Sequence, residues 1–302
     1  MAFFSFLKRL PRDITSNLGE LQIEQCNRLS RDEISALIAS HEKVLNSGKG
    51  VLKKGPRTAV TRVRHGCGWL CIKEYRSNGL LDQAKEALCG TRARRALKGA
   101  NKLTSCGIAT PEIIAVAELG KKSYLFTPFM DEATPLNLIL QKPSSSAMRG
   151  QMEVTDKRKM IYQLGRWLRH IHDLGVYHND WSANNILVNR HGREWSFYLV
   201  DTESISYITT LTYRRRVKNL SQLGDTRLGI TCTDRMRFLG TYANKDVSLT
   251  RGHFPRHVIR AMQRRFEASQ KTRARARKRK IKLKRKMAKA THRSESASKR
   301  ST

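Results

Sequence analysis

The sequence predicts an α+β protein of two lobes, a small antiparallel-sheet lobe with one helix followed by a mainly helical lobe. Between residues 51 and 130, short β-branched and alternating segments separated by glycine turns indicate a strand meander. From about residue 156, apolar residues recur with a helical period of 3.6. The chain has 302 residues, which is enough for a substantial core in each lobe.

The elements of the first lobe follow in order. Residues 12–47 carry two apolar groups and are predicted to be helical, so residues 1–50 form an N-terminal helical extension. The first lobe, residues 51–130, is predicted to hold five strands and a basic helix over 80–105 that Gly107 ends. The predicted strands cover residues 51–54, 59–63, 69–75, 113–118 and 123–127.

The second lobe is predicted over residues 131–255. Its long helix presents one apolar face from Met160 to Leu174, and Gly175 ends it. Two short apolar runs, 186–188 and 197–200, are predicted strands. Further helices are expected over 214–223 and 234–243, and a surface loop is expected over 142–151.

The charge of the chain predicts a polyanionic partner. Fifty-nine Lys and Arg face 25 Asp and Glu, which gives a formal net charge of +34. Residues 256–302 are predicted to form a basic tail, helical or disordered, and residues 271–302 alone carry 15 cations and one acid. Such a charge fits an anionic membrane surface or nucleic acid. No run approaches the roughly 18 apolar residues of a membrane span, so we expect no transmembrane segment.

The cysteines predict neither disulfides nor a metal centre. Six are present and none forms a C-x-x-C pair. His65, Cys67 and Cys71 stand close together in sequence but lack a second ligand pair. We therefore expect reduced thiols in a reducing cytosol.

Four polar residues carry the candidate chemistry. Asp180 and Asn185 stand five positions apart on a predicted loop between the long helix and a short strand, an arrangement typical of a kinase catalytic loop. Asp180 is the candidate group that accepts or orients the proton of an attacking hydroxyl. Asn185 and Asp201, at the end of the next apolar run, offer the hard oxygen atoms that Mg²⁺ prefers. Lys73, on the third strand, is the candidate phosphate-neutralising lysine.

On these residues the chain resembles the bacterial lipopolysaccharide kinases, the Kdo and inner-core heptose kinases, over roughly residues 50–245. The resemblance rests on the stretches Trp69–Arg76, Thr91–Lys98 and Gly107–Pro111, the catalytic loop, Val200-Asp201 and Thr233–Leu239. It implies a protein-kinase-like fold, similar to that of RIO kinases.

The resemblance also implies an activity. The chain would use ATP and Mg²⁺ to phosphorylate a sugar hydroxyl of the lipopolysaccharide inner core, and this glycolipid would be its substrate partner. It would act in the cytoplasm as a peripheral protein of the inner membrane, so the basic tail is expected to bind an anionic membrane in preference to nucleic acid. Asp180 would be catalytic, Asn185 and Asp201 would bind magnesium, and Lys73 would bind phosphate.

Three departures from the protein-kinase pattern stay open. The phosphate-covering turn has one glycine and three cations, Lys53 among them, and is either a basic lid or a plain hairpin. The stretch Thr91–Lys98 has no acid to pair with Lys73, so Glu86 is the candidate by default. Glu203 follows Asp201 and either assists at the metal or caps a turn.

Two other functions compete with the glycolipid kinase. One is a RIO-like protein serine/threonine kinase, which shares the catalytic loop and differs in acceptor. The other is an inactive kinase-like protein that binds membrane or nucleic acid. The presence of Lys73, Asp180, Asn185 and Asp201 together favours an active enzyme.

Overall fold

A computed structural model describes residues 21–26, 29–66, 68–141, 152–224, 229–244, 246, 249 and 253–298. The described residues fall into two compact units. One contains the residues up to Ile139 together with 152–211, and the other contains Leu140, Gln141 and the residues from Thr212 onward. The predicted domain boundaries at residues 50, 130 and 255 stay a prediction. The loop predicted over 142–151 lies outside the described residues.

Strands and helices are interspersed as far as Tyr207, and the elements described after that residue are helices. The strands are β1 Gln22–Cys26, β2 Val51–Lys54, β3 Thr58–His65, β4 Gly68–Arg76, β5 Ala115–Leu119, β6 Lys122–Pro128, β7 Thr134–Pro135, β8 Val176–His178, β9 Ile186–His191, β10 Glu194–Leu199 and β11 Ile205–Tyr207. The helices are α1 Arg31–Ser47, α2 Leu80–Cys89, α3 Arg92–Ser105, α4 Leu136–Ile139, α5 Val154–Asp173, α6 Tyr213–Leu223, α7 Cys232–Ala243 and α8 Phe254–Ser298.

A six-stranded antiparallel sheet forms the N-terminal part of the first unit. Its strand order is β1-β5-β6-β4-β3-β2. One face packs on α1 through Ile34, Leu37 and Ile38, and the other packs on α3 through Ala93, Ala96 and Leu97. Because side chains alternate along a strand, neighbouring residues of β4 face different helices. The predicted α+β class, with an antiparallel sheet followed by a helical region, is confirmed.

The N-terminal extension differs from its prediction. Helix α1 starts at a capping box of Ser30 and Glu33, which satisfies the first backbone donors, and it ends at Gly48 in a left-handed conformation. The segment Gln22–Cys26, predicted to be helical, is instead a strand that pairs antiparallel with β5. A free sheet edge supplied by another part of the chain determines this conformation, and no local pattern indicates it.

The predicted helix over 80–105 is also wrong as a single element. It divides into α2 and α3 at Gly90, whose φ of 77° ends α2. Thr91 then begins α3, because its hydroxyl accepts a hydrogen bond from the Arg94 backbone N–H. The chain therefore carries two helices between β4 and β5, where the prediction had one.

Two strand pairs in the first unit position the catalytic loop. Helix α5 buries Met160, Leu164 and Leu168 and ends at Asp173, two residues before Gly175, whose φ is 74°. Strands β8 and β11 pair antiparallel, with His178 opposite Ile205. Strands β9 and β10 pair with Ile186 opposite Leu199, so the residues on either side of this hairpin lie side by side.

The second unit is helical. Helix α8 packs on α6, and its buried Phe254, Val258 and Met262 recur every four residues along one face. Helix α7 begins with a capping box of Thr231 and Asp234. The predicted helices over 214–223 and 234–243 match α6 and α7, and the basic tail begins as the helix α8.

Across the described ranges, none of the helices combines the length and the apolar character that a bilayer crossing needs.

Candidate active site

Lys73 and Asp201 form the centre of the candidate site. Lys73 alternates on β4 with Glu74, so it faces the α3 side of the sheet, where its Nζ lies 2.5 Å from Asp201 Oδ1. Burial acts to lower the pKa of Lys73, but Tyr75, Asp201 and Glu203 raise it above its ordinary value overall. Lys73 is therefore a fixed cation. Two predicted site residues that are far apart in the sequence thus meet directly.

Asp201 is held in an unusual backbone conformation at the end of the β9–β10 hairpin. Its φ and ψ are 65° and 44°, in the left-handed region that non-glycine residues rarely adopt. Burial acts to raise the pKa of its carboxyl, but Lys73, then His178 and Lys53, hold that pKa below its usual range. An ionised carboxylate is therefore presented by a constrained turn, as expected of a functional residue.

Asp180 and Asn185 close the catalytic loop on itself. The Asn185 side-chain amide donates to the Asp180 carbonyl oxygen at 2.9 Å and lies 3.3 Å from Asp180 Oδ2. The Val200 backbone N–H donates to the Asn185 carbonyl oxygen at 3.0 Å. Asn185 is thus next to the segment that leads from β10 to Asp201. The Asp180 residue itself is exposed, which leaves its carboxylate open to an incoming hydroxyl.

His178 links the two aspartates through the backbone. Its Nδ1 accepts from the Asp180 N–H at 3.0 Å, so its Nε2 carries the proton and donates to the Asp201 carbonyl oxygen at 3.1 Å. Burial lowers the pKa of His178 below its ordinary value, against the opposing charges of Asp201 and Asp180. The neutral ring therefore holds the backbone at both Asp180 and Asp201. A doubly protonated ring would have no free nitrogen to accept the hydrogen bond from Asp180.

Trp181 anchors the loop in the core. Its side chain is completely buried, and its ring packs edge-on against Trp167 and His172. It also contacts the ring of His178 at 5.6 Å. Because the residue next to Asp180 is held in this way, the exposed carboxylate is attached to rigid backbone.

Arg92 and Glu203 form a bidentate ion pair that the sequence did not predict. Arg92 Nε lies 3.1 and 3.2 Å from the two carboxylate oxygens of Glu203, and its terminal nitrogen also bonds the same group. Glu203 stands two residues after Asp201, and Arg92 begins α3. The helix therefore supplies the cation, and the segment after Asp201 supplies the acid near Lys73.

Helix α3 also packs closely on the residue after Asp201. The Thr202 hydroxyl donates to the Ala96 carbonyl oxygen at 2.7 Å. Gly99 lies directly against the Thr202 backbone, and a side chain at position 99 would collide with the Thr202 carbonyl oxygen. Together with Arg92, these contacts join α3 to the segment that carries Asp201.

The two remaining predicted residues lie in different surroundings. Lys53 is exposed on β2, and its charge contributes to the lowered pKa of Asp201, so it belongs to the same electrostatic environment. Glu86 lies on α2, where burial raises the pKa of its carboxyl while a hydrogen bond from Ser77 and the charge of Arg95 act to lower it. The acids that act on Lys73 are Asp201 and Glu203, so the structure does not bring Glu86 to Lys73.

The donor set fits a magnesium ion held together with phosphates. Asp201 and Asn185 offer carboxylate and amide oxygens, the hard ligands that Mg²⁺ takes. Within the described ranges, no group of three or more His, Cys, Asp or Glu residues could hold a metal ion. Two protein ligands are enough only when phosphate oxygens and water complete the shell.

Comparison with solved structures shows which fold the chain has. It is similar to a structure described as WaaP in complex with acyl carrier protein, with a TM-score of 0.52 and 19% sequence identity. The similarity covers 80% of this chain and 99% of that one. The chain therefore shares the fold of that structure.

The particular family follows from the sequence. The model of the lipopolysaccharide kinase (Kdo/WaaP) family matches residues 53–242. The chain belongs to this family, which confirms the resemblance drawn from its motifs, and it is a kinase. No curated protein sequence matches the chain.

Proposed function

We propose that the protein transfers the γ-phosphate of ATP to a sugar hydroxyl, on Kdo or heptose, of the lipopolysaccharide inner core. The observation that carries this proposal is the meeting of Lys73, Asp201 and the Asp180–Asn185 loop in one compact unit of a lipopolysaccharide kinase. Cation, carboxylate and amide are the groups that phosphoryl transfer needs, because its catalysis is positioning and charge stabilisation.

Each residue has a proposed role that its surroundings support. Lys73 neutralises the α- and β-phosphates, because Asp201 and Glu203 keep it charged against the effect of burial, and its contact with Asp201 fixes its position. Lys53 lies on the exposed hairpin strand and covers the phosphates from the β2–β3 side. Asn185 and Asp201 would hold Mg²⁺, which when bound neutralises charge on the phosphates.

Asp180 is the proposed catalytic residue. Its exposed carboxylate accepts a hydrogen bond from the acceptor sugar hydroxyl and orients the oxygen lone pair toward the phosphorus atom. The hydroxyl proton passes to this carboxylate as the new oxygen–phosphorus bond forms and the bond to ADP breaks. Trp181 and His178 keep the loop in place, so the orientation is set before the acceptor binds.

We propose that the protein works in the cytoplasm at the inner membrane, with α8 on the membrane surface. Beyond Met262, every described side chain of α8 is exposed, and the sequence there is rich in Lys and Arg. A cavity of about 460 Å³ between α6 and α8 is lined by three arginines, with Tyr213 and His257 beside them. These arginines are Arg214, Arg260 and Arg264. Such cations suit the phosphates of lipid headgroups.

The experiment that tests the proposal compares acceptors. Purified protein with ATP and Mg²⁺ is given deacylated core oligosaccharide or a generic protein substrate, and the phosphorylated product is identified by mass spectrometry. Since the similar WaaP was solved in complex with acyl carrier protein, each reaction is run with and without an acyl carrier protein.

Phosphate on the sugar, absent in Asp180→Ala, is the expected result. Phosphate on protein alone would replace the proposal with a RIO-like protein kinase. No transfer to either acceptor would favour an inactive binding protein.

A further inference from the structure

Helix α2 turns its apolar side outward. Leu80, Leu81 and Leu88 are 83%, 82% and 66% exposed, and no residue of the helix is buried. At 100° per residue these leucines share one face with Ala84 and Ala87. A surface helix ordinarily places such a face on the core.

The polar side of α2 is the side that contacts the protein. The Asp82 carboxylate accepts from the Asn78 backbone N–H at 3.2 Å and lies 3.5 Å from Arg57. Glu86 contacts Ser77 and lies in the field of Arg95. The two acids of the helix therefore point toward the protein, where nearby cations and hydrogen-bond donors offset their negative charge. The outward face keeps three leucines and one cation, Lys85.

We propose that α2 is an interfacial membrane helix whose leucine face enters an anionic lipid surface. Exposed leucines on a short helix are unfavourable in water, and a helix of 10 residues without buried contacts gains little from packing. Insertion at the boundary of headgroups and acyl chains removes this apolar area from water. The biological reason for membrane insertion rests on the proposed glycolipid acceptor. The exposed leucine face is an observation that does not depend on that proposal.

Charge favours an anionic membrane over a second copy of this chain at this face. Outside residues 271–302 the chain still carries a net charge of +20, and Arg57, Lys53 and Lys54 are exposed. A second copy of so basic a chain would be repelled, whereas anionic headgroups would be attracted. Apolar insertion flanked by cations is the pattern of helices that lie in a bilayer surface.

The test measures binding to vesicles of phosphatidylcholine and phosphatidylglycerol by co-sedimentation. At about 0.5 M salt the Debye length shrinks to about 4 Å, which screens the basic tail and leaves apolar insertion. The triple variant Leu80→Gln/Leu81→Gln/Leu88→Gln is compared with Leu138→Gln/Val154→Gln/Met236→Gln, which changes three other exposed apolar residues.

We expect the α2 variant to lose about tenfold or more in high-salt binding, and the control variant to bind as wild type does. Equal binding by both variants would overturn the proposal. A wild-type dimer that becomes a monomer in the α2 variant, measured by sedimentation, would also overturn it, because the face would then be a contact between copies.

A parallel assay separates this proposal from the proposed function. The α2 variant should phosphorylate soluble, deacylated core oligosaccharide at the wild-type rate and vesicle-embedded core glycolipid more slowly. Wild-type protein that phosphorylates neither acceptor would refute the proposed function, while the vesicle measurement would still decide the role of α2.

Discussion

At the residue scale, Lys73 is not paired with an acid of the neighbouring helix. Glu203, held by Arg92, supplies the acid in its place. A protein kinase pairs its strand lysine with a helix glutamate. Here the helix carries Arg92, and the acid comes from the segment after Asp201. The sequence separation of 111 residues hides this pair from local analysis. An acid two residues after the candidate metal ligand was the available signal.

Arg92→Lys should lower kcat for phosphoryl transfer by about ten- to a hundredfold and change KM for ATP less. Lysine keeps the charge but loses the bidentate geometry that aligns α3 with the Asp201 segment. Steady-state kinetics on the core oligosaccharide measure both constants.

The charge reversal Arg92→Glu/Glu203→Arg provides the control for this pair. It should recover part of the activity that each single reversal loses, because the pair then forms in the opposite sense. Strictly additive losses would show that the two side chains act independently.

A charge cluster surrounds the buried Glu74 on the face of β4 opposite to Lys73. The residue is fully buried beside His41, Arg76 and Lys122. Burial acts to raise the pKa of Glu74, but His41, Lys122 and Arg76 lower it to about 2. The ionised form therefore stabilises the fold above the ordinary pKa of 4.5, and this contribution is lost as the pH falls toward 2.

Glu74→Gln should reduce the free energy of unfolding by about 3 kcal/mol at pH 7. The difference in free energy of unfolding between the variant and wild type should become smaller as the pH falls from about 5 to about 3, because the ionised form of Glu74 then stabilises the wild-type fold less. Urea unfolding at several pH values measures it. A difference independent of pH would show that the cluster acts through packing.

At the scale of elements, the close packing of α3 on the segment after Asp201 can be tested by adding a side chain at Gly99. Gly99→Ala introduces a methyl group where the Thr202 carbonyl oxygen lies. We expect it to destabilise the protein by about 1–3 kcal/mol and to reduce activity, because α3 must shift from Thr202.

Gly240→Ala in α7 is the matched control, because nothing lies within 4 Å of the added methyl group. Helix propensity should then make this variant more stable by about 0.5–1 kcal/mol. Thermal unfolding of both variants gives the comparison. Equal stability of Gly99→Ala and wild type would contradict the packing described.

Local sequence patterns predict most elements of the first unit but not all. Alternation and turn glycines predicted β2 to β6, and the 3.6-residue period predicted α5. Strand β1 was missed because the edge of β5 determines its conformation. The division at Gly90 and Thr91 was missed although both are ordinary helix-boundary residues, a C-terminal glycine and an N-cap.

The candidate site was predictable to the extent that its chemistry is local. The loop from Asp180 to Asn185 lies in one short segment, and its spacing indicated its arrangement. The order of the elements indicated that Lys73 and Asp201 belong to one site, but it did not predict their direct contact, because Glu86 was the candidate acid for Lys73. The role of Arg92 depends on tertiary packing that no spacing shows, and the sequence alone does not decide whether Glu203 assists at the metal or caps a turn.

At the scale of the whole molecule, the charge divides between a tail and a basic folded part. Deleting residues 271–302 removes 15 cations and one acid. We expect binding to anionic vesicles to fall about tenfold or more at low salt and to change little at high salt, because exposed charges are screened there.

Binding to purely phosphatidylcholine vesicles serves as the control for the tail deletion, and it should be weak for both proteins. Unchanged low-salt binding to anionic vesicles after the deletion would assign the tail to another partner, with nucleic acid as the alternative.

The central claim is that Asp180 directs a sugar hydroxyl to ATP held by Lys73, Asn185 and Asp201. The most direct measurement compares wild type and Asp180→Asn for binding of ATP with Mg²⁺, by calorimetry, and for single-turnover transfer to deacylated core oligosaccharide. We predict that Asp180→Asn binds ATP as wild type does and transfers phosphate about a thousandfold more slowly. Transfer at the wild-type rate by this variant would contradict the assigned role of Asp180.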